Sequence, residues 1–107
     1  MKDDKLYIIH IQESIELIFQ YTTEGRGFFL RDRKTQDAVV RNLEIIGEAA
    51  KRVSEKTRSL STSVQWKRIA GLRDVLIHQY EGVDLEKVWS VVEKELPILK
   101  ESIRKLQ

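Results

Sequence analysis

The stretch "VVRNLEIIGEAAKRV", residues 39–53, decides the fold. Val39, Leu43, Ile46, Ala50 and Val53 follow one another at steps of four, three, four and three. That rhythm lays five apolar side chains along one stripe of an α-helix; a strand, whose side chains alternate with period two, does not produce it. Gly47 and the pair Ala49–Ala50 are small, and small residues let a neighbouring helix come close. The spacing therefore predicts a packed helix that begins between Asp32 and Asp37 and runs to about Lys56.

The same rhythm recurs on both sides. Ile8, Ile11, Ile15 and Ile18 predict a helix over about Asp3 to Thr23, with Asp3 and Asp4 favourable at its positive N-terminal end. Gly25 and Gly27 in "TTEGRG" end it, and "FFL" (28–30) reads as a short apolar plug over the core. "SEKTRSLSTSV" (54–64) reads as a loop, with Ser61 or Ser63 as candidate N-cap of a third helix over about Gln65 to Gln79. Gly82 breaks that helix, and Asp84 is placed to cap the last one, with Val83 and Val88 as a hydrophobic staple. Leu85, Val88, Val92, Leu96, Leu99, Ile103 and Leu106 carry the final stripe. Pro97 lies inside it and predicts a kink near Val92 to Glu93. The expected architecture is all-α: a four-to-five-helix up-down bundle, one domain over residues 1–107.

Composition agrees. Of 107 residues, 41% are hydrophobic and 34% charged, as in soluble globular chains; five glycines and one proline leave little material for hairpins. The absence of cysteine removes disulfides and thiolate metal ligands and fits a reducing cytoplasm. "MKDDKLYIIH" does not read as a signal peptide, and no run of about 18 apolar residues predicts a membrane span. A net charge of +2, from 19 basic and 17 acidic residues, neither requires nor forbids a nucleic-acid partner.

Chemistry concentrates in "GLRDVLIHQY" (71–80), where Arg73, Asp74, His78 and Tyr80 interrupt an apolar segment. Taken singly, each has an ordinary reading: an imidazole at a helix end, a surface guanidinium, an amphipathic cover for the core. Together they offer more. Histidine exchanges protons near neutral pH, and arginine grips a phosphodiester and offsets the charge that builds on it. That pair suffices for metal-free RNA cleavage, in which the ribose 2′-OH attacks its own phosphate. No His-x-x-x-His spacing or tight acidic cluster announces a metal site. On a regular helix five residues turn by about 140°, so Arg73 and His78 do not share a face. Either the helix loosens before His78, or a second copy of the chain completes the site; the symmetric dimer is the preferred reading.

"RNLEIIGEAAKRV" (41–53), "WKRIAGLRDVLIHQY" (66–80) and "GVDLEKVW" (82–89) resemble the HEPN superfamily, and within it the HepT-type toxins. The resemblance implies a dimerising helical domain that acts as a metal-independent endoribonuclease, the toxin of a type VII-like toxin–antitoxin system, cytoplasmic and free of membrane. By position, Arg73 and His78 match the catalytic pair and Asp74 the polar residue that follows the arginine. Tyr80 matches the tyrosine that a cognate MNT-type nucleotidyltransferase antitoxin AMPylates, using ATP as AMP donor; the toxin itself needs no cofactor. A bulky charged adenylyl group there would block a phosphate-binding cleft.

Arg41, Lys67 and Arg68 are candidates to line the RNA groove, as Lys51 and Arg52 are, although such residues commonly form solvated helix faces. Asn42 and Glu48 either face a dimer cleft or point to solvent. His10 is expected to be exposed, and Trp66 and Trp89 to anchor the core rather than stack on bases. Two rivals stand beside the nuclease: a non-catalytic helical partner of a nucleotidyltransferase complex, and a purely structural four-helix dimer.

Overall fold

In the computed structural model, residues 2–78 and 82–106 are described, with the backbone alone at 2, 3, 75, 77 and 78. Helix α1 (Lys2–Tyr21) turns its isoleucine stripe fully inward: Ile8, Ile11, Ile15 and Ile18 are all buried. Gly25, at φ +87°, opens α2 (Gly25–Arg31) in the left-handed region that glycine adopts without strain. The plug "FFL" is thus part of a helix. It still covers the core, because Phe29 is fully buried with its ring 5.5 Å from that of Trp89.

Helix α3 (Arg33–Arg52) starts where the sequence places it. The Asp32 carboxylate accepts from the Thr35 backbone N–H at 3.1 Å and from its hydroxyl at 2.6 Å, which satisfies a free donor of the first turn. The helix ends earlier than expected, at Arg52 instead of Lys56. Val53 takes extended backbone, and the Ser54 hydroxyl then caps a new short turn, α4 (Glu55–Arg58), accepting from the Thr57 N–H. The segment read as a loop therefore contains a helix.

Asp4 holds that corner. Its buried carboxylate accepts from the Ser54 backbone N–H at 2.9 Å and from the hydroxyls of Ser54 and Thr57. These bonds, the Ser54 hydroxyl first, lower its pKa from 3.8 to about 2. Because Asp4 sits in the first turn of α1 and Ser54 just beyond α3, the two long helices run antiparallel with their apolar stripes facing.

The third expected helix is broken. Helix α5 (Trp66–Ala70) follows Gln65, not a serine cap; the Ser61 carbonyl instead accepts from the Trp66 indole N–H at 3.1 Å. Gly71 makes a turn, α6 (Leu72–Leu76) follows, and the chain then leaves helical geometry. Strand β1 (Ile77–His78) pairs antiparallel with β2 (Gly82–Val83), Ile77 opposite Val83 and His78 opposite Gly82, and Gly82 adopts φ +81°. This two-residue ladder is a small feature of an otherwise all-α chain.

Asp84 caps α7 (Leu85–Ser90), accepting from the Lys87 N–H at 3.2 Å, as expected. Val88 is fully buried, while its staple partner Val83 stays exposed on β2. The proline expectation resolves into a π-helical segment, Val91–Glu95, which leads into α8 (Leu96–Arg104). The Leu96 N–H bonds back to the Val91 carbonyl, five residues earlier. The wider turn accommodates Pro97, which has no N–H to offer the carbonyl four residues before it. Val88, Val91, Val92, Leu96, Leu99 and Ile103 are buried, so the stripe survives the change of register. Among the described residues, no helix is long and apolar enough to cross a membrane.

Candidate active site

The site begins with Gly47. A Cβ there would lie 3.3 Å from the carbonyl oxygens of both Ile69 and Ala70, so α5 rests directly on the α3 backbone. The small residue was legible in the sequence; which of the expected helices rests on it was not. One turn beyond the contact, Leu72 and Leu76 enter the core, both essentially inaccessible. Being four apart they share a face, and Arg73 and Asp74 are left exposed to solvent.

Arg73 meets α3 there. Its Nε donates to Glu44 Oε2 at 3.0 Å. Glu44 stands three residues before Gly47, on the turn next to the close approach. Arg73, Asp74, Glu44, Glu48, Lys51 and Arg41 line a pocket of about 330 Å³. It adjoins a second groove of about 490 Å³ that shares Arg41 and Glu44 and extends to Gly82, Val83 and Leu85. Gly82 is the ladder partner of His78, so the His78 backbone lies one strand away from this groove. The helix has already ended at Leu76, so the regular-helix geometry behind the 140° mismatch does not extend as far as His78. The His78 side chain and Tyr80 lie outside the described residues.

The three cations proposed for RNA separate. Arg41 lines both grooves beside Arg73. Arg68 lines a different pocket of about 230 Å³, with Ser63, Ile98 and Ser102, and grips Glu95 through two bonds of 2.7 and 2.6 Å. That carboxylate raises the Arg68 pKa, chiefly through hydrogen bonding. Lys67 is exposed on α5. Asn42 is buried and donates to the Ala38 carbonyl at 2.9 Å, whereas Glu48 is exposed, 3.8 Å from Lys51 Nζ. His10 is exposed, as expected, and Trp66 is buried. Trp89 is half-buried against Phe29, its indole N–H buried without an acceptor among the described residues. Among the described residues no three acidic, histidine or cysteine side chains converge as metal ligands would.

Glu44 is the site residue that sequence reasoning missed. Its only local signal is a place on the same helical face as Arg41 and Glu48, and any charged helix face shows that pattern.

Comparison with known proteins points to the family that the sequence resembles. The family described as ribonuclease HepT-like matches residues 11–106. Over 106 residues the chain is 47% identical to "Gamma-glutamylcyclotransferase and putative RNase MJ0434" of Methanocaldococcus jannaschii, covering 98% of this chain and 48% of that protein. It thus spans about half the length of that relative. Over 107 residues it is 43% identical to "Probable ribonuclease HepT" of Thermococcus cleftensis, covering 99% of this chain and 97% of that one. To "Putative RNase TTE0752" of Caldanaerobacter subterraneus it is 38% identical over 108 residues, covering 99% and 96%. No solved structure matches. The chain belongs to the HepT-like ribonuclease family.

Proposed function

We propose that this ribonuclease cleaves RNA without a metal ion, using Arg73 and His78 in a cleft of a homodimer, as the toxin of a toxin–antitoxin pair. The observation that carries the reading is the setting of Arg73. Its Nε is held by Glu44 in an open groove, which leaves the two terminal nitrogens to face a phosphate. The substrate's 2′-oxygen attacks the adjacent phosphorus, forming the O2′–P bond and a 2′,3′-cyclic phosphate. The P–O5′ bond breaks and releases a 5′-hydroxyl. His78 moves the proton, taken from the 2′-OH or given to the leaving 5′-oxygen, while Arg73 offsets the charge on the non-bridging oxygens. Asp74, beside Arg73, is a polar neighbour of that phosphate. Arg41 extends the positive lining.

Control falls to Tyr80. Transfer of AMP from ATP by an MNT-type nucleotidyltransferase would join the tyrosine oxygen to the α-phosphorus and release pyrophosphate. The added phosphate and adenosine would then occupy the substrate's place. The test is cleavage of single-stranded RNA by the purified chain in excess chelator. Arg73→Ala and His78→Ala are each expected to lower the rate at least about a hundredfold. Equal cleavage by wild type and both variants would overturn the assignment.

A further inference from the structure

Nine arginines stand in the chain, and seven of them are engaged. Arg26, Arg33, Arg68, Arg73 and Arg104 hold carboxylates. Arg58 donates to the carbonyls of Val53 and Ala50, and Arg31 lies over the Phe28 ring. Among the described residues, Arg41 and Arg52 have no such partner. Both line one cleft of about 300 Å³ between α1 and α3, together with Tyr7, His10, Ile45 and Glu48.

The cleft has the composition of a nucleotide site. Tyr7 and His10 are one turn apart on α1, with ring centroids 6.4 Å apart at 68°, an edge-to-face pair whose exposed histidine offers an aromatic surface. Arg41, Ile45, Glu48 and Arg52 follow at successive turns of α3, so the guanidinium groups stand at either end of a partly apolar floor. The Cα atoms of Arg41 and Arg52 are roughly 16 Å apart along the axis, the reach of a short strand rather than of one phosphate. Glu48 is the one acid in the lining and sits near Lys51, so the cationic groups outnumber it. Aromatic faces stack on bases of any sequence, and unpartnered guanidinium groups take phosphates. Arg41 and Glu48 also line the Arg73 pocket, so the two depressions adjoin.

We propose that the α1–α3 cleft of Tyr7, His10, Arg41 and Arg52 is an RNA subsite. It seats a nucleotide flanking the scissile phosphate, the base against the Tyr7–His10 pair and its phosphate on Arg52. The inference rests on the ribonuclease reading above, and its test separates the two. In His78→Ala, His10 is the one remaining histidine, so its imidazole resonances report the cleft alone. Titration with a single-stranded RNA octamer is expected to shift them to saturation. On this background Arg52→Ala and His10→Ala, both at exposed positions, weaken octamer binding about tenfold, the loss of one contact of this kind. Lys94→Ala removes equal charge outside the cleft and changes binding less than twofold. Unmoved His10 resonances at saturating RNA, an octamer that does not bind, or Arg52→Ala and His10→Ala affinities equal to the parent's would overturn the subsite. Arg73→Ala in the otherwise natural chain tests the parent reading independently. If it abolishes cleavage while the cleft variants bind normally, only the subsite falls; if it leaves cleavage intact, the nuclease assignment falls and the His10 titration still decides the subsite.

Discussion

Glu44 Oε2 accepts a hydrogen bond from Arg73 Nε at 3.0 Å, joining α3 to α6 across 29 residues of sequence. Arg73 is mostly exposed and Glu44 about a quarter so, and ion pairs of that kind contribute only about 0–1 kcal/mol to stability. The consequence of the contact is orientation. With Nε engaged, the plane of the guanidinium is set, and its terminal nitrogens have no hydrogen-bond partner among the described residues.

Glu44→Ala is therefore expected to lower kcat for RNA cleavage about 10- to 100-fold with the urea midpoint nearly unchanged, since loss of positioning alone costs that much. Glu44→Gln keeps an acceptor oxygen and should recover most of the rate. Steady-state kinetics beside urea unfolding checks both; a rate that does not respond to Glu44→Ala would remove the positioning role.

Gly47→Val drives a branched side chain against the carbonyls of Ile69 and Ala70, which a Cβ alone would already approach to 3.3 Å. Backbone oxygens cannot swing aside as a flexible side chain can. We expect a loss of about 1–3 kcal/mol in chemical denaturation, with reduced cleavage as α5 is pushed away from α3.

Phe29→Ala should cost about 3–5 kcal/mol, because a fully buried ring leaves a cavity that the flanking helices only partly fill. The Trp89 indole, 5.5 Å away, makes the change visible in tryptophan fluorescence. A small stability loss would mean that α2 is a dispensable cover.

Asp4 makes stability depend on acid. Its folded pKa, about 2, lies below the ordinary 3.8, so the folded state favours the carboxylate. The stabilisation is complete above about pH 4 and is lost as the pH falls towards 2. Asp4→Asn should be destabilised by about 1–3 kcal/mol at pH 7 and show a shallower fall between pH 4 and 2 than the wild type, measured by thermal melts across that range.

The stripes of α1, α3 and the α7–α8 region were legible in the sequence, because burial on one face repeats with the helical period and every turn carries the same instruction. Asp32 and Asp84 were legible as caps for the same reason: the donors they satisfy lie within three residues. The early end of α3 at Val53 was not, since Ser54 serves two partners and one of them, Asp4, is fifty residues away. Nor was the break after Leu76. Val75, Leu76 and Ile77 form an apolar run that reads as continuous helix, and pairing with Gly82–Val83 turns the chain to strand from Ile77 onward. The site divides along the same line. Arg73, Asp74 and His78 stood out through their chemistry within a short segment, and the sequence alone determined that a regular helix cannot align the first with the last. Tertiary structure decided that Arg73 meets Glu44 and shares a pocket with Arg41, because a missing side chain at Gly47 sets the distance between two helices, and that distance appears in no local pattern.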